Sequence, residues 1–154
     1  MLSGILSAFG PVTLSLADSD PCDSSWVIVE TGSEEHSFLV RVADDAASRA
    51  QGLMFVESMP EDEGMLFIYP SPQHARFWMK NTYIPLDMIF VDADGLVLRL
   101  HEGAEPLDET IIDGGSGVSA VLEVNAGVVD SIGVEMGDRL LHPSLQSFSS
   151  SRCE

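Results

Sequence analysis

The chain has 154 residues, 45% hydrophobic and 21% charged, the length and balance of one globular domain around a single core. Twenty-five acidic residues against seven basic ones give a formal charge of −18. Such a surface repels phosphate backbones and anionic headgroups, which argues against nucleic-acid and membrane-surface binding. Lys80 is the only lysine, and an acidic, lysine-poor surface also suits a saline habitat, where charge serves solubility rather than a cationic partner.

Residues 1–17 (MLSGILSAFGPVTLSLA) carry no charged side chain. The run is too short, and too broken by Gly10 and Pro11, to span a bilayer as a helix. With Ser15 and Ala17 as small residues before a cut after Ala17, it reads as the apolar part of an export signal, though no basic residue precedes it. Export would place the mature chain in the periplasm or envelope with no transmembrane span. The competing reading is an N-terminal strand or helix of the core. Cys22 and Cys153 stand at opposite ends and form no C-x-x-C pair, so zinc and thioredoxin-like sites have no support. If the ends meet, a disulfide would close a span of roughly 130 residues, nominally about 5 kcal/mol in the chain-entropy model. Both cysteines free in frayed tails is the alternative. The residues before Cys22, Ser-Asp-Pro, do not fit a lipid-modified cysteine.

Residues 26–31 (WVIVET) and 36–43 (HSFLVRVA) read as two strands around the turn Gly32-Ser33-Glu34-Glu35. Phe38, Val40 and Val42 alternate with Leu39 and Arg41, giving one apolar face. A short helix follows, with Asp44 or Asp45 as cap, Ala46, Ala47 and Ala50 on one side and Gly52 as stop. Runs 64–69 (GMLFIY), 75–80 (ARFWMK) and 86–91 (LDMIFV), bounded by Pro70, Pro72 and Pro85, read as strands. Asp92-Ala93-Asp94-Gly95 turns the last of them into 96–101 (LVLRLH). Residues 103–117 read as a long glycine-rich loop, 118–124 (VSAVLEV) as a strand, and Asn125 as the cap of a second short helix. Residues 138–142 make a final strand, and the serine-rich tail 143–154 reads as disordered. Seven or eight short strands with two small helices predict a mainly β fold, an antiparallel β-sandwich or partly closed barrel, with residues 18–142 as one domain.

Familiar chemical signatures fail one by one. Gly114-Gly115-Ser116-Gly117 lacks the last glycine of a nucleophile elbow, because Val118 holds that position. Asp92, Asp94 and Gly95 fit a hairpin turn better than a calcium loop, and His101-Glu102 lacks the second histidine of a zinc helix. His36, His74, His101 and His142 are scattered singly. Six internal methionines (54, 59, 65, 79, 88, 136) have no M-x-M or M-x-x-M spacing and read as core filler rather than a copper(I) site. No metal or cofactor is indicated.

One segment stands out: Phe77-Trp78-Met79-Lys80-Asn81-Thr82-Tyr83-Ile84-Pro85-Leu86-Asp87. Period-two alternation sends Leu86, Met88 and Phe90 to one face and Asp87, Ile89 and Val91 to the other. Asp87 is then an acid among apolar neighbours, costly unless paired or hydrogen-bonded. Glu123, on the same face as Val121, is in the same position. Trp78, Lys80, Asn81, Thr82, Asp87, Glu123 and Asn125 are therefore the candidate ligand-binding residues, a small polar site with an aromatic wall. The structural alternative is a Lys80–Asp87 ion pair holding the loop, with the asparagines capping turns and a helix.

Gly52-Leu53-Met54, Gly64-Met65-Leu66-Phe67, Trp78-Met79-Lys80-Asn81-Thr82, Pro85-Leu86-Asp87 and Leu122-Glu123-Val124-Asn125-Ala126-Gly127 occur in the order and approximate spacing of a known family. Over about residues 36–142 the chain resembles the domain-of-unknown-function 192 family. The resemblance implies a compact β-sandwich-like domain, often exported, and brings no activity, substrate or cofactor. Members commonly carry arginine two positions after G-L-M, where this chain has Val56, so a mechanism leaning on that arginine is in doubt. The leading functional reading is a non-catalytic envelope domain binding a small ligand or an envelope protein through the Trp78–Asp87 surface. The alternatives are an envelope carbohydrate hydrolase or lyase using Asp87 and Glu123 as a carboxylate pair, and a scaffold with no ligand.

Overall fold

The computed structural model describes residues 22–32 and 34–146. The apolar leader 1–17, the tail from 147 onward and Cys153 lie outside the described residues. Cys22 is disulfide-bonded; Cys153 is the chain's only other cysteine.

Among the described residues, seven strands and two short helices run in the order β1 (Trp26–Thr31), β2 (Glu34–Ala43), α1 (Ala46–Gln51), β3 (Glu63–Phe77), β4 (Leu86–Val91), β5 (Val97–Ala104), β6 (Ile112–Asn125), α2 (Val128–Ile132) and β7 (Arg139–Leu141). They form one curled open sheet in the order β5-β4-β6-β3-β2-β1-β7, a half-barrel, which agrees with the partly closed barrel of the two expected forms and not with the sandwich. The two edges approach at one end, where Leu96 bridges Arg139 and the Leu140 N–H donates to the Gly95 carbonyl at 2.7 Å. The sheet is also not wholly antiparallel. β2 and β3 run parallel from Leu39↔Glu63 to Ala43↔Phe67, because α1 and the loop after it carry the chain back to the starting end.

Alternating side chains divide the core between the two faces. One face gathers Val27, Val29, Leu66, Ile89, Leu122 and Val124; the other gathers Leu53, Met65, Phe67, Met88, Phe90 and Val121. Burial of such residues is the main driving force for the sheet, at about 1.5–3 kcal/mol for each fully buried large side chain.

Three expectations about elements give way to specific packing. Pro70 and Pro72 do not end a strand. β3 continues through them as a bulged stretch, with ladder pairing interrupted between Ile68 and Gln73, where proline has no N–H to give. The glycine-rich segment is a loop only over 105–111, between β5 and β6. Gly114 to Gly117 lie in β6 opposite β3, and a Cβ on Gly114 would collide with the Phe90 ring, so glycine permits the approach. Nor is the start of the tail loose. Leu145 is buried, and the Leu145 and Gln146 N–H groups donate to the His142 and Ala93 carbonyls. Buried His142 donates from Nε2 to the Ser24 carbonyl at 2.9 Å and accepts the Ser144 N–H on Nδ1 at 3.1 Å. Burial lowers its pKa, the Ser24 bond opposing the shift, so the neutral ring joins the two ends of the described chain.

Candidate functional site

Asp45 caps α1, its carboxylate accepting from the Ala47 and Ser48 N–H groups while Ser48 closes the capping box. This fixes Arg49, whose Nη1 donates to the Asp44 carbonyl at 2.6 Å and the Ile68 carbonyl at 3.0 Å, with the guanidinium 5.5 Å from the Tyr69 ring centre. Gly52 ends the helix at φ 51° and delivers Leu53 to the core. Between α1 and the end of β3 lies a cavity of about 280 Å³, walled by Arg49, Tyr69, Arg76, Phe77, Trp78 and Thr82 and reaching Glu123.

Glu123 is the chemical centre of this cavity. Its side chain lies on the same face as its cross-strand neighbours Met65 on β3 and Met88 on β4, and it is only 4% exposed. Its carboxyl has no hydrogen bond or ion pair among the described residues. Burial alone pushes its pKa up to about 8, so the acid is protonated at neutral pH. Leaving such a group without a partner costs free energy.

β3 and β6 can meet closely here because residue 64 is glycine: a Cβ would come within 2.6 Å of the Glu123 carbonyl oxygen.

Asp87 is equally buried but has a different role. Its Oδ1 accepts the Gly103 N–H at 2.8 Å, and its Oδ2 accepts the Gly127 and Val129 N–H groups at 2.9 and 3.0 Å. It thereby caps α2, which Asn125 was expected to do. Asn125 instead donates to the Met59 and Pro60 carbonyls, pinning the loop before β3 beside a separate groove. Register places Asp87 opposite Val124 and Glu123 opposite Met88. The two carboxyls therefore point to opposite faces of the sheet and share no cleft. The carboxylate pair of the hydrolase reading is not formed.

Lys80 does not pair with Asp87. It faces Glu109 at 3.7 Å and lies 5.0 Å from the Trp78 ring centre. Asn81 adopts φ 55°, and its carbonyl accepts the Phe55 N–H; Leu107 donates to the Thr82 carbonyl. Phe55 and Leu107 also have positive φ, so three strained non-glycine residues meet around the Trp78–Tyr83 loop. Phe55, Trp78, Tyr83 and Leu107 leave an exposed apolar rim there. Of the candidate residues, Trp78, Thr82 and Glu123 line the cavity; Lys80 and Asn81 flank it; Asp87 and Asn125 lie elsewhere. Arg49, Tyr69 and Arg76 were missed, since nothing in spacing links a helix, a bulged strand and β6. Val56 packs against the core, so the cavity's cations come from Arg49 and Arg76 instead.

Elsewhere, His74 Nδ1 lies 3.1 Å from Ser116 Oγ and Nε2 lies 2.7 Å from Asp113 Oδ1. This chain has the atoms of a serine triad but sits exposed on the bulged edge of the β3–β6 ribbon, where water is not excluded. Among the described residues no cluster of His, Cys, Asp and Glu is arranged to hold a metal, and no helix is long and apolar enough to cross a membrane.

Fold and cavity define a small single-sheet β domain with a buried acid at the base of an arginine- and tryptophan-lined recess. The chain belongs to the domain-of-unknown-function 192 family, described as uncharacterized ACR, whose profile matches residues 27–142. It is similar to a solved structure of a candidate transcription regulator from Sinorhizobium meliloti 1021, with 45% identity and a TM-score of 0.76 over 78% of this chain and 94% of that one. A protein of unknown function from Novosphingobium aromaticivorans DSM 12444 is 40% identical, with a TM-score of 0.73 over 75% of this chain and 82% of that one. No curated protein matches.

Proposed function

We propose that this domain is a non-catalytic binding module that holds a small ligand in the Glu123 cavity, with Trp78 as its wall. The observation that carries this reading is the Glu123 carboxyl, buried, without a partner among the described residues, and lining an accessible recess. A purely structural acid is expected to resemble Asp87, with its oxygens satisfied by backbone N–H groups. The domain acts in the periplasm or envelope, a reading that rests on the uncharged leader 1–17; intact mass of the protein from its own cells, lacking Met1–Ala17, is the expected result. The regulator description of one relative carries little weight for DNA contact here, because a formal charge of −18 opposes a phosphate backbone.

Thermal-shift measurements on the full chain with amino acids, monosaccharides, short carboxylates and amines test the binding reading. At least one class stabilises the wild type and fails to stabilise Trp78→Ala and Glu123→Gln. If no class stabilises the wild type, or the variants respond equally, the domain is a scaffold and the reading fails.

A further inference from the structure

Resting on that binding reading, we propose that the ligand is a small zwitterion of the α-amino acid class, its carboxylate facing Arg49 and Arg76 and its ammonium group facing Glu123. The cavity has two chemically opposite ends. Arg49 spends only Nη1 on protein carbonyls, and Arg76 has no hydrogen bond or ion pair among the described residues, so both guanidiniums retain donors. At the other end the Glu123 carboxyl has no donor among the described residues. Glu123 sits opposite Met65 on the β3–β6 ladder, whereas the Arg49 guanidinium is tied to the Ile68 carbonyl and lies over Tyr69, farther along β3. Arg76 and Tyr69 also line the recess that reaches Glu123.

A molecule with a single charge satisfies only one end. An anion answers the guanidiniums and leaves Glu123 without a cation; an amine answers Glu123 but meets two positive groups. A zwitterion forms charge-assisted hydrogen bonds at both ends, the stronger kind. The volume, about 280 Å³, is at the small end for ligand sites and suits a free amino acid rather than a peptide or oligosaccharide. Phe77 and Trp78 face the space left for its side chain.

Binding by this route ionises Glu123 and releases its proton to solvent. The charged or titratable groups facing that carboxyl across the cavity are Arg49 from α1 and Tyr69 and Arg76 from β3; Met65 and Met88 flank it on the sheet.

Isothermal titration of the full chain with the twenty common L-amino acids is the test, followed by the des-amino and des-carboxy analogues of the tightest binder. At least one amino acid binds, each analogue binds at least about tenfold more weakly, and heats measured in buffers of different ionisation enthalpy show proton release at pH 7. Glu123→Gln abolishes the proton release. The exposed Arg76→Gln, which perturbs no core contact, weakens binding at least about tenfold. An analogue binding as tightly as its amino acid, or binding without proton release, overturns the zwitterion. If sugars, carboxylates or amines stabilise the chain in a Glu123-dependent way while no amino acid binds, the ligand class is wrong and the binding reading stands. If nothing binds, both fall.

Discussion

Replacing Glu123 with glutamine removes a titration without removing volume, and its effect on stability should depend on pH in one direction. The unfolded carboxyl titrates near its ordinary value of 4.5, the folded one near about 8. Because the folded pKa is raised, the group's contribution is fully present below pH 4.5 and is lost as pH rises through 8. Each pH unit in that window costs about 1.4 kcal/mol, so wild type loses about 3 kcal/mol through this group between pH 5 and pH 7. For a domain of this size that is a Tm change on the order of 10 °C. Glutamine carries no such cost, so the Tm of Glu123→Gln minus that of wild type should grow steadily from pH 5 to pH 8. The other acidic groups and His142 are common to both proteins and drop out of the difference. Differential scanning calorimetry at half-unit intervals measures it. Parallel profiles would refute the reasoning, and would mean that Glu123 is solvated or partnered in solution.

Asp87→Ala leaves three backbone N–H groups and the start of α2 without their acceptor, and chemical denaturation should show a loss of about 4 kcal/mol. Lys80→Ala, by contrast, removes an exposed ion pair and should cost under about 1 kcal/mol in the same assay. Gly64→Ala forces a methyl against the Glu123 carbonyl, so urea midpoints should report a loss of about 1–3 kcal/mol. Ser116 should not react with a fluorophosphonate probe, as judged by intact mass; stoichiometric labelling lost in His74→Ala would show that the exposed Ser116–His74–Asp113 chain is a working nucleophile.

Much of this arrangement was legible because strand alternation is local. The facing of Asp87, Ile89 and Val91 against Met88 and Phe90, and of Glu123 with Val121, follows from period two alone, and a cap at Asp44 or Asp45 and the Gly52 stop follow from helix-end chemistry. What alternation within one strand does not supply is the register between strands. Asp87 and Glu123 looked like partners because both are acids among apolar residues, yet pairing of β4 with β6 turns them to opposite faces. The long β3 was hidden because Pro70 and Pro72 are strand breakers that a bulge accommodates. Gly114 looked like a loop residue because its reason, the Phe90 ring, comes from a strand distant in sequence. Arg49 and Arg76 carry no local signal at all, since a helix end and a bulge bring them together.

The most direct test of the central claim is two-dimensional NMR of the full chain titrated with the same amino acids, monosaccharides, carboxylates and amines. Binding in the Glu123 cavity predicts saturable shifts at the Trp78 indole, Tyr69, Thr82 and Glu123, with Asp87 and the α2 amides it caps unmoved. Shifts confined to the groove beside Asn125, or no saturable shift with any compound, would contradict it.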